Sequence, residues 1–162
     1  MRSMIITAYT DGAARGNPGP SASGYVICDQ KGKRIAKMFF YNGRQTNNVA
    51  EYLAIIAALK KIDEEFGGKA ELKLFSDSKL VVNQLSGNYK VKDANLKVLH
   101  KEASKIAARL AKCEFVSVPR ENPLISMVDG KLNELLDNIK KDESDIVAIK
   151  DARKGAQKGL FG

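Results

Sequence analysis

The pattern of apolar and polar positions along the 162-residue chain changes period several times, and each change predicts a switch between strand and helix. A short run rich in β-branched residues leads into Asp11 and is followed at once by glycine, so we predict that the first strand ends at Asp11. Two further apolar runs, over 22–29 and 34–41, flank a tight turn at 30–33. Their close spacing predicts an antiparallel hairpin.

From residue 48 onwards the apolar positions recur at helical spacing, which predicts a helix over 48–66 that ends at a pair of glycines. The rest of the chain alternates, with predicted strands at 71–76 and 113–118 and predicted helices at 78–85, 95–111 and 126–139. This order indicates an α/β fold with a five-stranded mixed sheet, antiparallel hairpins first and parallel strands after them, and helices on both faces. We therefore predict one domain over 1–139, followed by a charged C-terminal extension over 140–162.

The charge balance favours a polyanionic partner, since the formal net charge is +8 and the pI is about 9.5. No apolar stretch approaches the roughly 18 residues of a membrane span, and the N-terminus lacks a signal-peptide pattern, so we expect a cytoplasmic protein without membrane contact. Cys28 and Cys113 fall in predicted strands without metal-ligand spacing, which indicates small buried side chains in a reducing compartment. His100 is the only histidine, which gives no support to a histidine-based zinc site or a Ser-His-Asp triad.

Four carboxylates stand where predicted strands end or predicted helices begin: Asp11, Glu51, Asp77 and Asp129. Each has a simpler explanation by itself, because Asp11 suits a turn and the other three suit helix caps or capping boxes, with Asn48 as the cap before Glu51. Together they can converge at one edge of the sheet, where clustered negative charges repel unless cations neutralise them. Hard oxygen ligands suit Mg²⁺ or Mn²⁺, and two such ions about 4 Å apart can promote phosphodiester hydrolysis.

Three stretches are more specific than single residues. They read Thr-Asp-Gly-Ala-Ala-Arg-Gly-Asn-Pro-Gly-Pro at 10–20, Thr-Asn-Asn-Val-Ala-Glu at 46–51 and Ser-Asp-Ser at 76–78. They closely resemble the motifs of type 1 ribonuclease H, and the resemblance covers roughly residues 4–139 in the family's order of strands and helices. It implies the ribonuclease H-like fold and an endonuclease that hydrolyses the RNA strand of RNA/DNA hybrids, with 5′-phosphate products.

The same resemblance assigns roles to individual residues. It implies that two Mg²⁺ ions, replaceable by Mn²⁺, are held by the catalytic carboxylates Asp11, Glu51, Asp77 and Asp129. It also implies contacts to the minor groove of the substrate from Gly12, Ala13, Asn17, Asn47, Asn48 and Lys79. Short amide side chains and backbone groups suit a wide, shallow groove that displays 2′-hydroxyls.

The sequence departs from the family pattern in three places. Asn122 precedes Asp129 by seven residues, which predicts a longer approach loop before the last acid. That loop lacks the histidine that many members carry, so Arg120, Glu121 or Asn122 is left to replace it. The chain has no Trp, and 87–95 is too short for the Trp-rich basic protrusion of some members.

Basic charge is nevertheless concentrated over 88–112, which holds seven basic and two acidic side chains. Four of them recur at four-residue intervals, as Lys97, Lys101, Lys105 and Arg109. Like charges at this spacing repel along a helix, and a phosphate backbone would relieve the repulsion. The stripe is therefore predicted to contact nucleic acid, with a solvated helix face as the alternative.

Two other functions stay open at this point. A nuclease of the same fold could also cut double-stranded RNA, and a non-catalytic module could bind hybrids without cutting them. Pure binding does not require four converging acids, so we favour the enzyme. We expect it to act as a monomer on RNA/DNA hybrid, and the sequence gives no information about protein partners.

Overall fold

A single mixed sheet forms the centre of the molecule; the computed structural model describes the backbone of residues 2–161 and the side chains of residues 2–142. Its strands are β1 (Met4–Ala14), β2 (Gly19–Cys28), β3 (Arg34–Gln45), β4 (Ala70–Ser76) and β5 (Lys112–Ser117). They lie in the order β3-β2-β1-β4-β5. The pairs β1–β2 and β2–β3 are antiparallel, whereas β1–β4 and β4–β5 are parallel. The predicted five-stranded mixed sheet is thus confirmed.

Helices cover both faces of this sheet, as predicted. They are α1 (Asn47–Phe66), α2 (Lys79–Leu85), α3 (Ala94–Ala107) and α4 (Pro123–Phe161), with a short 3-10 turn at Gly67–Lys69 after α1. On one face, α1 buries its apolar stripe, including Tyr52, Ile55 and Leu59, against the sheet, and α3 packs beside it. On the other face, α4 places Val128 and Leu132 against β2. Each fully buried aliphatic side chain contributes about 1.5–3 kcal/mol of burial free energy.

Side-chain caps fix where the helices begin. Thr46, Ser78 and Asp93 accept hydrogen bonds from the backbone N–H groups of Val49, Val81 and Leu96 at the starts of α1, α2 and α3. The Oδ1 of Asn122 accepts from Leu124 and Ile125 ahead of α4, whose first residue is proline. The alternative explanation of Asn48 and Asp77 as helix caps is therefore wrong, because the hydroxyls of Thr46 and Ser78 take those places.

The first strand was predicted to end at Asp11, but it continues to Ala14. The reason is that β2 continues the antiparallel ladder, pairing Asp11 with Gly24 and Ala14 with Ser21. Parallel pairing with β4 stops earlier, at Tyr9 opposite Phe75. Asp11 therefore lies just past the point where β4 leaves β1.

Helix α4 is longer than the predicted 126–139, since it begins at Pro123 and continues to Phe161. The sequence contains neither glycine nor proline between 140 and 154, so nothing in it ends the helix at 139. The division into a domain over 1–139 and an extension over 140–162 stays a prediction, and most side chains of that extension lie outside the described residues. Within the described part of the chain, no helix combines the length and apolar character of a membrane span.

Both cysteines are free and lie in strands, as expected. Cys28 in β2 is buried, and Cys113 in β5 is only partly exposed. Burial raises the pKa of both thiols, that of Cys113 to about 12. Both side chains are therefore neutral small core residues.

Candidate active site

Three carboxylates meet where strands β1 and β4 part. Asp11 and Asp77 each lie two residues beyond the last parallel pair, so they leave the sheet at the same edge. The second turn of α1 adds Glu51, and one carboxylate oxygen from each of the three lies within 4.8 Å of the others. The predicted convergence of these three acids is found, and it follows from the adjacency of β1 and β4.

Gly12 permits α1 to come this close. A Cβ on Gly12 would stand 2.3 Å from the carbonyl carbon of Ala50, which no real side chain tolerates. The Gly12 N–H also donates a hydrogen bond to the Glu51 carboxylate. From β2, the Ser23 hydroxyl donates to the carbonyl of Ala50 at 2.6 Å and ties the same turn of the helix to the sheet.

Because the cluster is buried, ionising its carboxylates is unfavourable unless a cation is bound. Burial and the charges of Asp77 and Asp129 raise the pKa of Asp11 to about 8, and burial and Asp11 raise the pKa of Glu51 well above its usual range. Burial also raises the pKa of Asp77, although Arg120 opposes the shift. The Glu51 Oε2 atom is buried and has no hydrogen-bond partner among the described residues. An orphaned oxygen among buried acids is what a divalent cation would satisfy, and hard oxygen donors fit Mg²⁺ or Mn²⁺.

Asp129 lies at the border of this cluster, in the second turn of α4. Its charge and a side-chain hydrogen bond both contribute to the raised pKa of Asp11, which places its carboxylate beside that acid. Its Oδ1 faces Arg120 at 3.7 Å and its Oδ2 faces Asn133 at 3.4 Å. Because α4 begins at Pro123, the capping explanation for Asp129 is wrong.

The approach to α4 is shorter than predicted. The additional residues before Asp129 form the first turns of the helix rather than a loop. Of the three candidates to replace the family histidine, Asn122 caps α4 and Glu121 is exposed. Arg120 is the one of the three that interacts with the acids, Asp77 and Asp129, in the part of the chain that the structure describes.

The predicted substrate contacts divide into two groups. Asn17 and Asn47 are tied together, since the Asn47 N–H donates to Asn17 Oδ1 at 3.1 Å and Asn47 Oδ1 accepts from Ala14 at 3.0 Å. Asn17 and Asn48 also line a groove of about 270 Å³ between the start of α1 and the start of α3, which we call the amide groove.

The other three positions are placed differently. Gly12 packs under α1, Ala13 packs toward α4, and Lys79 is exposed at the start of α2. Arg44 was not among the residues predicted to contact substrate. It lines the amide groove because β3 extends to Gln45 instead of ending at 41.

The basic stripe also divides, because α3 ends at Ala107 instead of at the predicted residue 111, so Arg109 lies just past the helix. Arg109 pairs with Asp63 of α1 at 3.1 Å. Lys97, Lys101 and Lys105 are exposed, and within residues 2–142 they form no ion pair. The stripe therefore consists of three exposed lysines on α3 and one exposed arginine, just past the end of α3, that pairs with α1.

Comparison with known proteins identifies relatives over most of the chain. Residues 9–125 match the family model described as reverse transcriptase-like. Ribonuclease HI of Halobacterium salinarum is 38% identical over 133 residues, which are 82% of this chain and 65% of that protein. The bifunctional protein Rv2228c of Mycobacterium tuberculosis is 39% identical over 118 residues, 72% of this chain and 32% of that protein. The chain thus spans about a third of the mycobacterial protein and less than two thirds of the haloarchaeal one.

Solved structures extend the likeness to the fold. The N-terminal ribonuclease H domain of Rv2228c has a TM-score of 0.80 at 33% identity, covering 87% of this chain and 99% of that chain. RNase H1 of Halobacterium salinarum has a TM-score of 0.77 at 36% identity, covering 83% and 98%. LC11-RNase H1, solved in complex with an RNA/DNA hybrid, has a TM-score of 0.73 at 42% identity, covering 80% and 94%.

Proposed function

The chain belongs to the type 1 ribonuclease H family, and we propose that it hydrolyses the RNA strand of RNA/DNA hybrids at the cluster of Asp11, Glu51, Asp77 and Asp129. The observation that carries the proposal is the convergence of three carboxylates within 4.8 Å, together with a buried Glu51 Oε2 atom that has no hydrogen-bond partner among the described residues. The nature of the substrate is supported by LC11-RNase H1, a 42% identical relative whose structure holds an RNA/DNA hybrid.

The acids fit divalent cations, and we assign Mg²⁺ as the resident ion, with two ions bound and Mn²⁺ able to replace them. When bound, such ions supply a nucleophilic water at neutral pH and stabilise the departing oxygen of the scissile phosphodiester. The residues that would hold them are Asp11, Glu51 and Asp77, with Asp129 as the fourth.

The protein prepares these ligands by fixing their backbone. Asp11 is held within a strand that is paired with β2, and Asp77 follows the last residue of β4 directly. The Gly12 N–H engages the Glu51 carboxylate, while Oε2 has no partner among the described residues. One oxygen of Glu51 is thereby left for a cation. Ligands on paired strands and a packed helix keep their geometry better than ligands on loops.

The amide groove suits the sugar–phosphate surface of a duplex. We assign Asn17, Asn47 and Asn48 to contacts with the minor groove, together with backbone at Gly12 and Ala13. Two of the asparagines, Asn17 and Asn47, already join the β1–β2 loop over 15–18 to the start of α1, which fixes the position of this side of the groove. Arg44 adds a guanidinium in the same groove, where it can pair with a phosphate. Lys79, exposed at the start of α2, is assigned to the same substrate.

Arg120 is our candidate for the role of the histidine that many other members carry. Its guanidinium lies 3.7 Å from Asp129. Its positive charge lowers the pKa of Asp77 and so acts against the larger effect of burial, which raises it. Its side chain is 72% exposed, so it can reach a phosphate that approaches the acids from solvent. We assign Arg120 to orienting the scissile phosphate or the product.

Cleavage of end-labelled duplexes tests the proposal. The parent protein is expected to cut the RNA strand of a hybrid with Mg²⁺ and not with EDTA, and to leave 5′-phosphates. Asp11→Asn should bind the hybrid and not cut it. Comparable cleavage of double-stranded RNA would establish a nuclease of broader range, and binding without any Mg²⁺- or Mn²⁺-dependent cleavage would contradict the enzymatic function.

A further inference from the structure

Asn133 joins the β1–β2 loop, over 15–18, to the Asp129 carboxylate. Its Nδ2 donates to the main-chain carbonyl of Asp129 at 3.1 Å and to Asp129 Oδ2 at 3.4 Å. At the other end of the amide, Oδ1 accepts from Arg15 Nη2 at 3.4 Å. The same Nη2 also donates to the main-chain carbonyl of Asn133 at 3.2 Å. Both ends of this side chain are therefore engaged.

Arg15 determines which end of the Asn133 amide faces Asp129. A guanidinium can only donate hydrogen bonds, and an ionised carboxylate can only accept them. A flipped amide would set its NH₂ against Arg15 and its oxygen against the carboxylate, so neither hydrogen bond could form. Arg15 is itself held, since its Nη1 pairs with Asp137 at 2.5 Å and its backbone N–H donates to the carbonyl of Pro20 at 2.8 Å.

Asp129 depends more on such support than the two buried acids do. Its side chain is 24% exposed, whereas Asp11 and Glu51 are buried. Its other oxygen faces Arg120, whose side chain is 72% exposed and 3.7 Å away, which is a weak restraint. Compared with the contact to Arg120, the contact of the Asn133 amide with this carboxylate is shorter and less exposed.

We propose that Asn133 is a positioning residue, and that its amide, oriented by Arg15, holds the Asp129 carboxylate toward Asp11 for metal binding. The inference rests on the proposed function in assigning cations to the four acids. Arg15 belongs to the loop that also carries Asn17, so one segment supports both the amide groove and the fourth acid. Hydrogen bonds that orient a metal ligand typically change metal affinity or activity by about 10- to 100-fold.

Metal titration of the whole chain without substrate gives a test that does not depend on catalysis. Calorimetric titration with Mn²⁺ is expected to show affinity about 10-fold weaker for Asn133→Ala than for the parent. Asp129→Asn, titrated in the same way, shows how far the Mn²⁺ affinity falls when the charged ligand itself is removed. Asn138→Ala is the matched control, because Asn138 is exposed on the same helix and its side chain makes no hydrogen bond within residues 2–142, and it should bind Mn²⁺ like the parent.

Activity supplies a second readout. Asn133→Ala should need more Mg²⁺ for half-maximal cleavage, while its KM for hybrid at saturating Mg²⁺ stays within about twofold of the parent. Arg15→Ala should shift the Mg²⁺ requirement in the same direction, and the double variant should be little worse than Asn133→Ala alone because the two residues act through one contact.

Parental Mn²⁺ affinity in Asn133→Ala, with only a lower melting temperature, would overturn the inference and make Asn133 a structural residue of α4. If Asn133→Ala does not fold, Asn133→Leu, which keeps the branched shape of the side chain but removes the donor, is judged by the same criterion. A parent protein that cuts no hybrid would refute the proposed function, and the Mn²⁺ titration would still decide the role of Asn133.

Discussion

Gly12 lies directly against Ala50, so that a Cβ on Gly12 would stand 2.3 Å from the Ala50 carbonyl carbon and 2.4 Å from the Glu51 nitrogen. Backbone atoms on both sides make this contact, and neither can yield without moving a whole strand or helix. The approach of α1 to β1, and with it the distance from Glu51 to Asp11, therefore depends on the missing side chain at residue 12.

The first prediction is that Gly12→Ala impairs both folding and chemistry. Overpacking at this contact should lower the free energy of unfolding by about 1–3 kcal/mol. A displacement of Glu51 by about 1 Å should lower cleavage by about 100-fold. Denaturant unfolding and hybrid cleavage measure the two effects. Gly130→Ala in α4 is the matched control, since a Cβ there meets no atom within 4 Å and alanine should raise helix stability by about 1 kcal/mol. Parental cleavage by Gly12→Ala would contradict the prediction.

The sheet and the meeting of Asp11 with Asp77 could be predicted from the sequence, because strand periodicity and the right-handed crossover rule place β1 beside β4. The length of β1 could not be predicted. The glycine after Asp11 suggested a turn, but pairing with β2 overrides that local preference. Helix starts were misplaced for a similar reason. Thr46, Ser78 and Asn122 cap the helices, and several neighbouring residues have equal capping propensity.

Contacts between distant side chains had no sequence signal. The amide of Asn133 reaches Asp129 four residues earlier on α4, but its second partner, Arg15, lies 118 residues away in the chain. The division of the basic stripe likewise depends on Asp63 of α1, with which the exposed Arg109 forms an ion pair.

The second prediction concerns the pH dependence of metal-free stability. The pKa of Asp11 is about 8 in the folded protein, against an ordinary value of 3.8. The folded state therefore retains a proton that the unfolded chain has released, and the free energy of unfolding should fall as pH rises from about 4 to about 8. The slope is at most about 1.4 kcal/mol per pH unit for each retained proton. Denaturant unfolding in EDTA between about pH 5.5 and 8.5 measures it.

The control for that experiment is Asp11→Asn, which removes one titrating group and should flatten the curve and raise metal-free stability near pH 8. Glu51, whose pKa is also raised by burial, would leave a residual slope. Adding Mn²⁺ to the parent at the same pH should restore stability, because a bound cation replaces the protons. Parallel curves for the parent and Asp11→Asn would show that Asp11 does not carry the dependence.

The third prediction concerns Lys97, Lys101 and Lys105, the part of the α3 stripe that forms no ion pair within residues 2–142. Their joint replacement by alanine should weaken binding to all duplexes alike and flatten the dependence of log K on log salt by about one unit for each phosphate that is no longer neutralised. Binding is measured with catalytically inactive Asp11→Asn as background. Arg109→Ala is the control, since it removes a charge that is engaged with Asp63 and should leave the slope unchanged. An unchanged slope in the triple variant would make the stripe ordinary solvated surface.

The last prediction concerns Asp129, whose role as fourth ligand rests on its interaction with Asp11 rather than on the 4.8 Å cluster of the other three acids. Asp129→Asn preserves the shape and leaves an oxygen to accept from Asn133, but it removes the charge that helps to raise the pKa of Asp11. Metal-free thermal stability should therefore be unchanged or raised. The ion pair that the variant abolishes, with Arg120 at 3.7 Å, is exposed and worth at most about 1 kcal/mol.

Turnover should respond in the opposite way. Mg²⁺-dependent cleavage by Asp129→Asn should fall by at least about 100-fold, the equivalent of about 2.7 kcal/mol of barrier lowering. Glu134→Gln is the matched control, because Glu134 is an exposed acid on the same helix that pairs with Lys131 rather than with the cluster, and it should cleave like the parent. An Asp129→Asn protein that melts earlier yet cleaves at the parental rate would remove Asp129 from the site. Asp137 could not then take its place without releasing Arg15, so Glu121 would be the next acid to test.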